Sequence, residues 1–399
     1  MALNNSIRVS SIDVIRGLAM VIMALDHVRD YFHITANTQD PLDLATTSPA
    51  LFFTRWITHF CAPVFVLLSG TSIFLQGQRK SPVELGAFLV KRGLWLIFVE
   101  LFIVSLAWTF NPAYEFIPFQ VIWAIGISMV IMGGLISLRL PMWAFLAVGS
   151  ILVAGHNAFD FMEAAPGFTS TFWWDVLHYG QFTVHQIMPG HNLILVYAFP
   201  VWLGVMMLGY AMGSWYTSDF DSLRRRKNLL NTGLALLVFF VLLRFSNGYG
   251  DPVDWSTQRT PFYTLLSFIN VDKYPASLLY LCLMLGPALI LLSVTEKIEN
   301  SLTSALTVFG RTAFFYYIVH LYLIHTIAVV VFFMRGHTLS EAYDPESHFP
   351  FLYVVPGEGF NLPGVYLIWL LVVATLYPVC SWYNKYKSQN KEKWWLSYL

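Results

Sequence analysis

The chain has 399 residues, of which 57% are hydrophobic and 12% are charged. Soluble domains carry roughly a quarter of charged residues, so this composition excludes an ordinary soluble protein and indicates a membrane protein. The formal net charge of +0 leaves no basic excess that would suggest nucleic acid as a partner. The three cysteines, Cys61, Cys282 and Cys380, lie in apolar stretches at spacings that fit neither a disulfide framework nor a metal site. We therefore predict a single all-α domain over residues 1–399, embedded in a lipid bilayer, with no metal.

Ten stretches reach, or come near, the length of about 20 apolar residues that a helix needs to cross a bilayer. In chain order they are 12–33, 51–76, 87–109, 118–138, 141–156, 191–213, 228–246, 274–295, 304–333 and 363–383. The first differs from a signal peptide because Asp13 and Arg16 lie inside its apolar run and no small-residue cleavage site follows. The sequence therefore predicts a polytopic protein with about ten transmembrane helices.

Lysine and arginine are unevenly distributed between alternate connections. If the N-terminus is cytoplasmic, the inside connections hold most basic residues, including the run Arg224-Arg225-Arg226-Lys227, and the outside ones hold Arg259, Lys273 and Arg335. Histidines have the opposite distribution: none of the 11 is placed in the cytoplasm, and His320 lies near mid-depth. Because basic loops stay inside, we predict both termini in the cytoplasm. For a chain that we take to be bacterial, the membrane is the inner one.

The first predicted span carries ionisable residues, which cost a few kcal/mol or more within a membrane unless they are paired or hydrated. Arg16 and His27 are eleven residues apart, which places them on one helix face about 16 Å from each other. Asp13 lies one turn from Arg16, and Asp30 one turn beyond His27, where it is expected to orient the imidazole. The alternative is structural: Asp13 and Arg16 form a buried ion pair, and the later charges cap a helix.

Three further spans carry candidate polar residues. Arg55 and His59 lie one turn apart in the second span, and Glu100, near the middle of the third, needs a partner such as Arg55, His59 or His320. In the ninth span His325 follows Arg311 by fourteen residues, which predicts the same helix face at about 21 Å. We interpret His320 as a packed, hydrogen-bonded histidine of the core.

The spacing on the first span fits a donor with a polyanionic head and a long thin arm, and coenzyme A has this shape. Arg16, Arg311 and Arg92 are candidates for its phosphates, and an arm of about 15–20 Å would bring a thioester to His27. A base at His27 would then activate a sugar hydroxyl or amine arriving from outside. The alternative is a proton-coupled transporter of a small solute or glycan precursor, in which the same residues relay protons. Against it, the hydropathy pattern contains no paired inverted repeat.

Three runs in the first 72 residues resemble bacterial relatives of heparan-α-glucosaminide N-acetyltransferase. The runs are Arg8-Val9-Ser10-Ser11-Ile12-Asp13-Val14-Ile15-Arg16-Gly17-Leu18-Ala19-Met20, Leu25-Asp26-His27-Val28-Arg29-Asp30 and Ala62-Pro63-Val64-Phe65-Val66-Leu67-Leu68-Ser69-Gly70-Thr71-Ser72. Later, weaker motifs extend the resemblance over a core of residues 8–330. The Arg16 to His27 spacing is similar to the arginine-to-histidine motif of the wider integral-membrane acyltransferase superfamily.

This resemblance implies an acyltransferase that moves an acetyl or short acyl group from acetyl-CoA to an amine or hydroxyl of an extracytoplasmic sugar or glycan. Arg16 matches the family arginine. The animal enzyme has asparagine where His27 stands and uses a histidine of the following loop, for which His33 is the nearest candidate. The acceptor, the acyl chain, the role of the histidine as base or acyl carrier, and a homodimeric state are left open by the sequence.

Overall fold

The structure is a computed structural model that describes residues 10–342 and 350–397. Helices make up most of this part of the chain: α1 (Ser10–Phe32), α2 (Pro49–Trp56), α3 (Cys61–Gly77), α4 (Pro82–Phe98), α5 (Ser105–Thr109), α6 (Val121–Ser137), α7 (Met142–Gly155), α8 (Asp160–Glu163), α9 (Phe172–Leu177), α10 (Phe199–Met212), α11 (Ser222–Ser246), α12 (Pro261–Ile269), α13 (Leu278–Thr295), α14 (Ser301–Arg311), α15 (Ala313–Met334), α16 (Leu339–Ala342) and α17 (Leu362–Gln389). The predicted helical membrane architecture is therefore confirmed in outline. Short 3-10 turns occur at Ile57–Phe60, His156–Phe159, Gly213–Tyr216 and Trp394–Ser397.

Within the described residues, six helical segments are long and apolar enough to cross a membrane. They are Pro49–Gly77, Met142–Glu163, Ser222–Ser246, Leu278–Thr295, Ala313–Met334 and Leu362–Gln389, and each coincides with a predicted stretch. Helix α6 is apolar but shorter, and α1, with 23 residues, carries the charged groups described above. The chain is thus an integral membrane protein, and among the described residues six of the ten predicted spans combine spanning length with sufficient apolarity.

The sixth predicted stretch, 191–213, does not form one helix. It starts as β3 (His191–Leu195), which pairs in parallel with β1 (Phe116–Phe119) and antiparallel with β2 (Thr183–Met188). Helix α10 begins after it, with a proline in its first turn, and has 14 residues. A hydropathy window cannot separate a short apolar strand from the end of an apolar helix. The prediction of an all-α chain is wrong in this small three-stranded sheet.

The ninth predicted stretch is also interrupted. Thr312, with φ −114° and ψ 23°, separates α14 from α15, so Arg311 and His325 lie on different helices. The predicted common helix face of these two residues is therefore wrong. Gly310, two residues before Thr312, lowers the stability of the helix at this point. It also lies against the backbone of α1, where a Cβ would be 1.8 Å from the Asp13 carbonyl oxygen.

Close helix contacts explain several glycines. At the same crossing of α1 and α14, a Cβ on Gly17 would lie 1.9 Å from the Leu306 carbonyl oxygen. Where α3 crosses α10, Gly70 and Gly209 each lie against the other helix's backbone, and Thr71 donates to the Gly209 carbonyl at 3.0 Å. Small residues allow such backbone approach between membrane helices. These crossings fix α1 against α14 and α3 against α10.

Helix α4 continues into α5 through a π-helical turn at Val99–Val104. This wider turn contains Glu100, which is fully buried, and leads to Trp108 at the end of α5. Such turns usually interrupt α-helices as single local insertions and are frequent at functional sites. The turn therefore indicates that the region around Trp108 is a candidate functional site.

Candidate functional site

A cavity of about 230 Å³ lies against the carboxyl-terminal part of α1. Charged side chains line it from three parts of the chain: Asp26 and Asp30 of α1, Arg55 of α2, and Lys273 before α13. His27 lines the same cavity, together with the aromatic residues Phe65, Trp108, Phe182, Tyr197, Tyr274, Tyr317 and Phe351. Small-molecule sites combine a few placed polar groups with apolar and aromatic walls in this way. This cavity is the candidate active site.

The acidic groups of the cavity are held by arginines. Arg29 Nη2 contacts Asp26 Oδ1 at 3.1 Å and Asp30 Oδ1 at 2.5 Å, and Arg55 Nη1 contacts the other Asp26 oxygen. Asp30 therefore accepts a hydrogen bond from Arg29, and the expected contact between Asp30 and the His27 imidazole is not found among the described residues. Arg55, predicted as a substrate-side residue, does belong to the cavity.

His27 is hydrogen-bonded to another histidine instead. Its Nδ1 lies 2.7 Å from His320 Nε2, and the Trp108 ring packs edge-on at 4.8 Å. His320 is fully buried, and its Nδ1 lies 3.0 Å from the Tyr316 carbonyl oxygen. The interpretation of His320 as a packed, hydrogen-bonded histidine is correct, but its contact with His27 was missed. Its position near mid-depth, apart from all other histidines, was the signal in the sequence.

Three predicted histidines lie outside this cavity lining. His33 follows α1 and contacts Thr35 Oγ1 at 2.9 Å; partial burial and the charge of Arg29 lower its pKa. His325 is buried, with its two ring nitrogens 3.0 and 2.8 Å from backbone carbonyl oxygens. His59 is buried against Tyr280, to whose hydroxyl its carbonyl is bonded. These contacts are those of residues that hold backbone segments together.

Glu100 does not pair with Arg55, His59 or His320, as the sequence suggested. Its Oε1 accepts a hydrogen bond from the Gln120 backbone N–H at 2.9 Å, and its Oε2 is buried without a hydrogen-bond partner among the described residues. The pairing prediction was wrong because the π-helical turn changes where residue 100 points relative to a regular helix.

A second group of charges lies near the amino-terminal end of α1. Asp13 Oδ1 is 3.4 Å from Arg16 Nη1, and Asp13 Oδ2 is 3.3 Å from Arg311 Nε. Arg16 also donates to Ser72 of α3 at 3.0 Å, and the Arg311 side chain is 39% exposed. The structure thus brings Asp13, Arg16 and Arg311 together, whereas Arg92 lies on α4, partly buried. The proposed alternative of an Asp13–Arg16 ion pair is also consistent with this contact.

Sequence reasoning did not select Lys273 and Tyr274 for the site. Lys273 is 8% exposed, and its ammonium group lies 5.0 Å from the centre of the Tyr274 ring. The signal was present, because Lys273 is one of the three basic residues that depart from the predicted Lys/Arg asymmetry. A lysine that lies on the predicted outer side, where basic residues are few, and that is buried in a cavity is explained by a role in that cavity rather than by the orientation of the chain in the membrane.

Asp160, Glu163 and His178 form a cluster whose ligand atoms lie within 4.8 Å of one another, and this set of groups is suited to a metal ion. In the structure they bond to protein groups: His178 Nδ1 lies 2.8 Å from Glu163 Oε1, and Asn157 donates to Asp160 Oδ2 at 2.7 Å. Trp174 also donates to Glu163. These bonds tie α8 and α9 to the end of α7.

The fold and the site define a helical integral membrane protein with a polar cavity around a buried histidine. The family model described as "Heparan-alpha-glucosaminide N-acetyltransferase, catalytic" matches residues 8–242, more than half of the chain. The chain therefore belongs to this family of membrane acetyltransferases, which act in glycan modification, and the predicted relationship is confirmed. Among curated proteins, none matches the chain.

Proposed function

We propose that the protein transfers an acetyl or short acyl group from cytosolic acetyl-CoA to an amine or hydroxyl of an extracytoplasmic sugar. The observation that carries this proposal is the position of His27 in a charged and aromatic cavity at one end of α1, with the Asp13–Arg16–Arg311 cluster at the other. Family membership supports the reaction class, and it gives no support to the transporter alternative.

The cavity suits a sugar as acceptor. Its aromatic side chains offer faces on which a sugar ring can pack, and its charged groups can hydrogen-bond to hydroxyl groups. Its volume of about 230 Å³ is below the roughly 300–1,000 Å³ of common small-molecule sites. We infer that the cavity takes one terminal sugar unit at a time, with the remainder of a glycan outside.

In the proposed reaction His27 is the general base. The acceptor O–H or N–H proton passes to the imidazole while the oxygen or nitrogen lone pair forms a bond to the thioester carbonyl carbon. The C–S bond then breaks, coenzyme A leaves as the thiolate, and this thiolate takes up the proton. His33 remains the alternative base; it lies outside the cavity lining.

The donor end is assigned to Arg16 and Arg311. Their guanidinium groups meet at one carboxylate on neighbouring helices, and a phosphate can make charge-assisted bonds to the same donors. Helix α1 is continuous from Arg16 to His27, so the predicted separation of about 16 Å applies. The cavity reaches Met23, which is seven residues from Arg16, or about 10 Å along the axis. Donor binding must therefore open a path along α1 over this distance.

The proposal places the donor end in the cytoplasm and the cavity outside, with both termini cytoplasmic, in a bacterial inner membrane. The outermost residues of the chain, 1–9 and 398–399, lie outside the described part. The support for this orientation is the distribution of Lys and Arg between alternate connections.

The test uses sealed vesicles with radiolabelled acetyl-CoA on the cytoplasmic side and amino sugars or surface glycans on the other. We expect acyl product with the wild type, and a loss of about a hundred- to ten-thousand-fold in rate for His27→Ala with donor binding retained. His33→Ala is the matched variant outside the cavity and should keep most of the activity. Full activity in His27→Ala would refute the assignment, and a wild type that forms no product but moves protons would favour the transporter.

A further inference from the structure

The contact between His27 and His320 is a hydrogen bond in the ring planes. The two ring centroids are 5.0 Å apart, the planes differ by 19°, and the facing nitrogens are separated by 2.7 Å. Rings stacked face to face would have many short contacts, whereas this geometry joins them edge to edge in nearly one plane. The lone pair of one nitrogen therefore points along the N–H bond of the other.

The direction of this hydrogen bond follows from the far side of His320. A carbonyl oxygen can only accept, so His320 Nδ1, which lies 3.0 Å from the Tyr316 carbonyl oxygen, carries a proton. A neutral imidazole has one N–H group, so His320 Nε2 is an acceptor. An imidazolium at this fully buried position would be a charge with no carboxylate in contact among the described residues, which is unfavourable.

His27 must then donate from Nδ1, and in its neutral form, the form that can act as a base, this leaves Nε2 with a free lone pair. No described residue is hydrogen-bonded to this Nε2, and it is not among the fully buried side-chain N and O atoms that lack a hydrogen-bond partner in the described structure. His27 lines the cavity. We propose that His320 is a positioning residue that fixes the proton of His27 on Nδ1 and so presents the Nε2 lone pair to the acceptor. This inference rests on the proposed function for its catalytic meaning, although the tautomer itself does not.

Such control is needed because neutral histidine in water favours the opposite tautomer, with its proton on Nε2. In that form Nε2 would be a hydrogen-bond donor and could not take up a proton from the sugar hydroxyl or amine. Histidines that act in catalysis or metal binding commonly have the other ring nitrogen bonded to an orienting group. Here a neutral imidazole, anchored to a helix carbonyl, takes the place of the more usual carboxylate.

The same contact supports the protonated state of His27 in the reaction. When Nε2 takes the acceptor proton, the Nδ1–H bond to His320 becomes a charge-assisted hydrogen bond, which is stronger than the neutral one. The proton on Nδ1 stays where it is, and the proton gained on Nε2 leaves with the coenzyme A thiolate. His320 thus acts in each turnover without changing its own protonation.

The tautomer is measured directly by ¹⁵N NMR of the full protein in membranes with labelled histidine, and His27→Gln identifies the signals of residue 27. We expect an unprotonated Nε2 and a protonated Nδ1 in the wild type. His320→Leu should shift the proton towards Nε2. His325→Leu, which removes another buried histidine of α15, should leave the His27 signals in place. A protonated Nε2 in the wild type, or an unchanged tautomer in His320→Leu, would overturn the inference.

Kinetics supply the second readout. We expect kcat of His320→Leu to fall by about 10- to 100-fold, with the acceptor KM little changed, because an orienting partner is lost and the cavity is kept. His320→Gln retains an amide oxygen that can accept from Nδ1–H and should recover part of this loss; it also serves if the leucine variant does not fold. Equal losses in kcat for Gln and Leu would argue for simple packing. If NMR gives the expected tautomer but the wild type transfers no acyl group, the proposed function fails and the His320 assignment stands.

Discussion

Each end of α1 holds a buried carboxylate between two arginines. Asp13 contacts Arg16 and Arg311, and Asp26 contacts Arg29 and Arg55. Each carboxylate neutralises two positively charged guanidinium groups that would otherwise repel each other. Its removal would leave these two buried charges unpaired. The two arrangements differ in use: the first is proposed to offer guanidinium groups to phosphate, and the second forms one wall of the cavity.

The donor assignment predicts the behaviour of Arg16 variants. Arg16→Ala should weaken coenzyme A binding by about 2–5 kcal/mol, as expected for the loss of a buried charge pair, and Arg16→Lys should restore it only in part because lysine lacks the guanidinium fork. Binding to the purified protein can be measured by calorimetry. Lys227→Ala removes an exposed cation on the same predicted side and is the control. Equal affinities in wild type and Arg16→Ala would move the donor site away from this cluster.

Asp272, next to the cavity residue Lys273, predicts a pH effect on stability. Burial, with the nearby Asp251 carboxylate, raises the pKa of Asp272 to about 7. The folded protein therefore holds this proton more tightly than the unfolded chain, in which the pKa is about 3.9. The resulting stability is fully present below the unfolded pKa and is lost as the pH rises through about 7.

The variant Asp272→Asn keeps an uncharged side chain at every pH. Its melting temperature should rise relative to the wild type by a few degrees as the pH increases from about 5.5 to 8.5. Asp254→Asn, at an exposed position of the same connection, is the control. Parallel curves for Asp272→Asn and wild type would contradict the predicted pH effect.

At the scale of single residues, the sequence predicts which side chains are neighbours along one helix, but it does not predict which side chains meet across two helices. The eleven-residue spacing of Arg16 and His27 holds because α1 is unbroken. The partner of His27 was expected to be Asp30, three positions away on the same helix, and is instead His320, 293 positions away. Such contacts depend on how α15 is rotated against α1, and composition and spacing contain no measure of that rotation.

Helix crossings are set at the scale of elements, and the α1–α14 crossing connects packing to the proposed donor site. Gly17 and Gly310 allow the two backbones to touch, and this brings Arg311 to Asp13. A methyl group at either glycine has to push the helices apart. The position of the Arg311 guanidinium group beside Asp13 therefore depends on residues that have no charge.

Gly310→Ala should destabilise the protein by about 1–3 kcal/mol, the cost of overpacking, and should also weaken coenzyme A binding. The control is Gly134→Ala in α6, where a Cβ would meet nothing within 4 Å; this change should stabilise the helix by about 0.5–1 kcal/mol. Thermal unfolding in detergent and calorimetry measure the two effects. An unaltered melting temperature in Gly310→Ala would show that the crossing is looser than described.

Element boundaries show the limit of hydropathy. It located six spans well, but it merged β3 with α10 and joined α14 to α15. Both errors have the same cause, because the mean hydropathy of a window contains no information on backbone conformation. The backbone changes direction at Thr312 and before Phe199. Gly310 and Pro200 were local signals of these two interruptions.

For the whole molecule the prediction concerns orientation. The free cysteines, Cys61, Cys282 and Cys380, are buried, so an introduced cysteine can be labelled over a low background. In intact cells, an impermeant thiol reagent should label Val184→Cys, on the exposed face of β2, and should spare Lys227→Cys at the start of α11. The reverse pattern would invert the proposed topology and with it the side from which coenzyme A is supplied.

The wide turn at Val99–Val104 has a consequence for how the cavity can change in evolution. Such a turn contains one residue more than an α-helix needs over the same rise. Deleting one residue there would restore a regular α-helix of the same rise, so Trp108 would keep its place against the His27 ring, while Glu100 would lose its contact with the Gln120 backbone. The buried acid can thus be repositioned by a single deletion in the gene, while the aromatic wall of the cavity is retained.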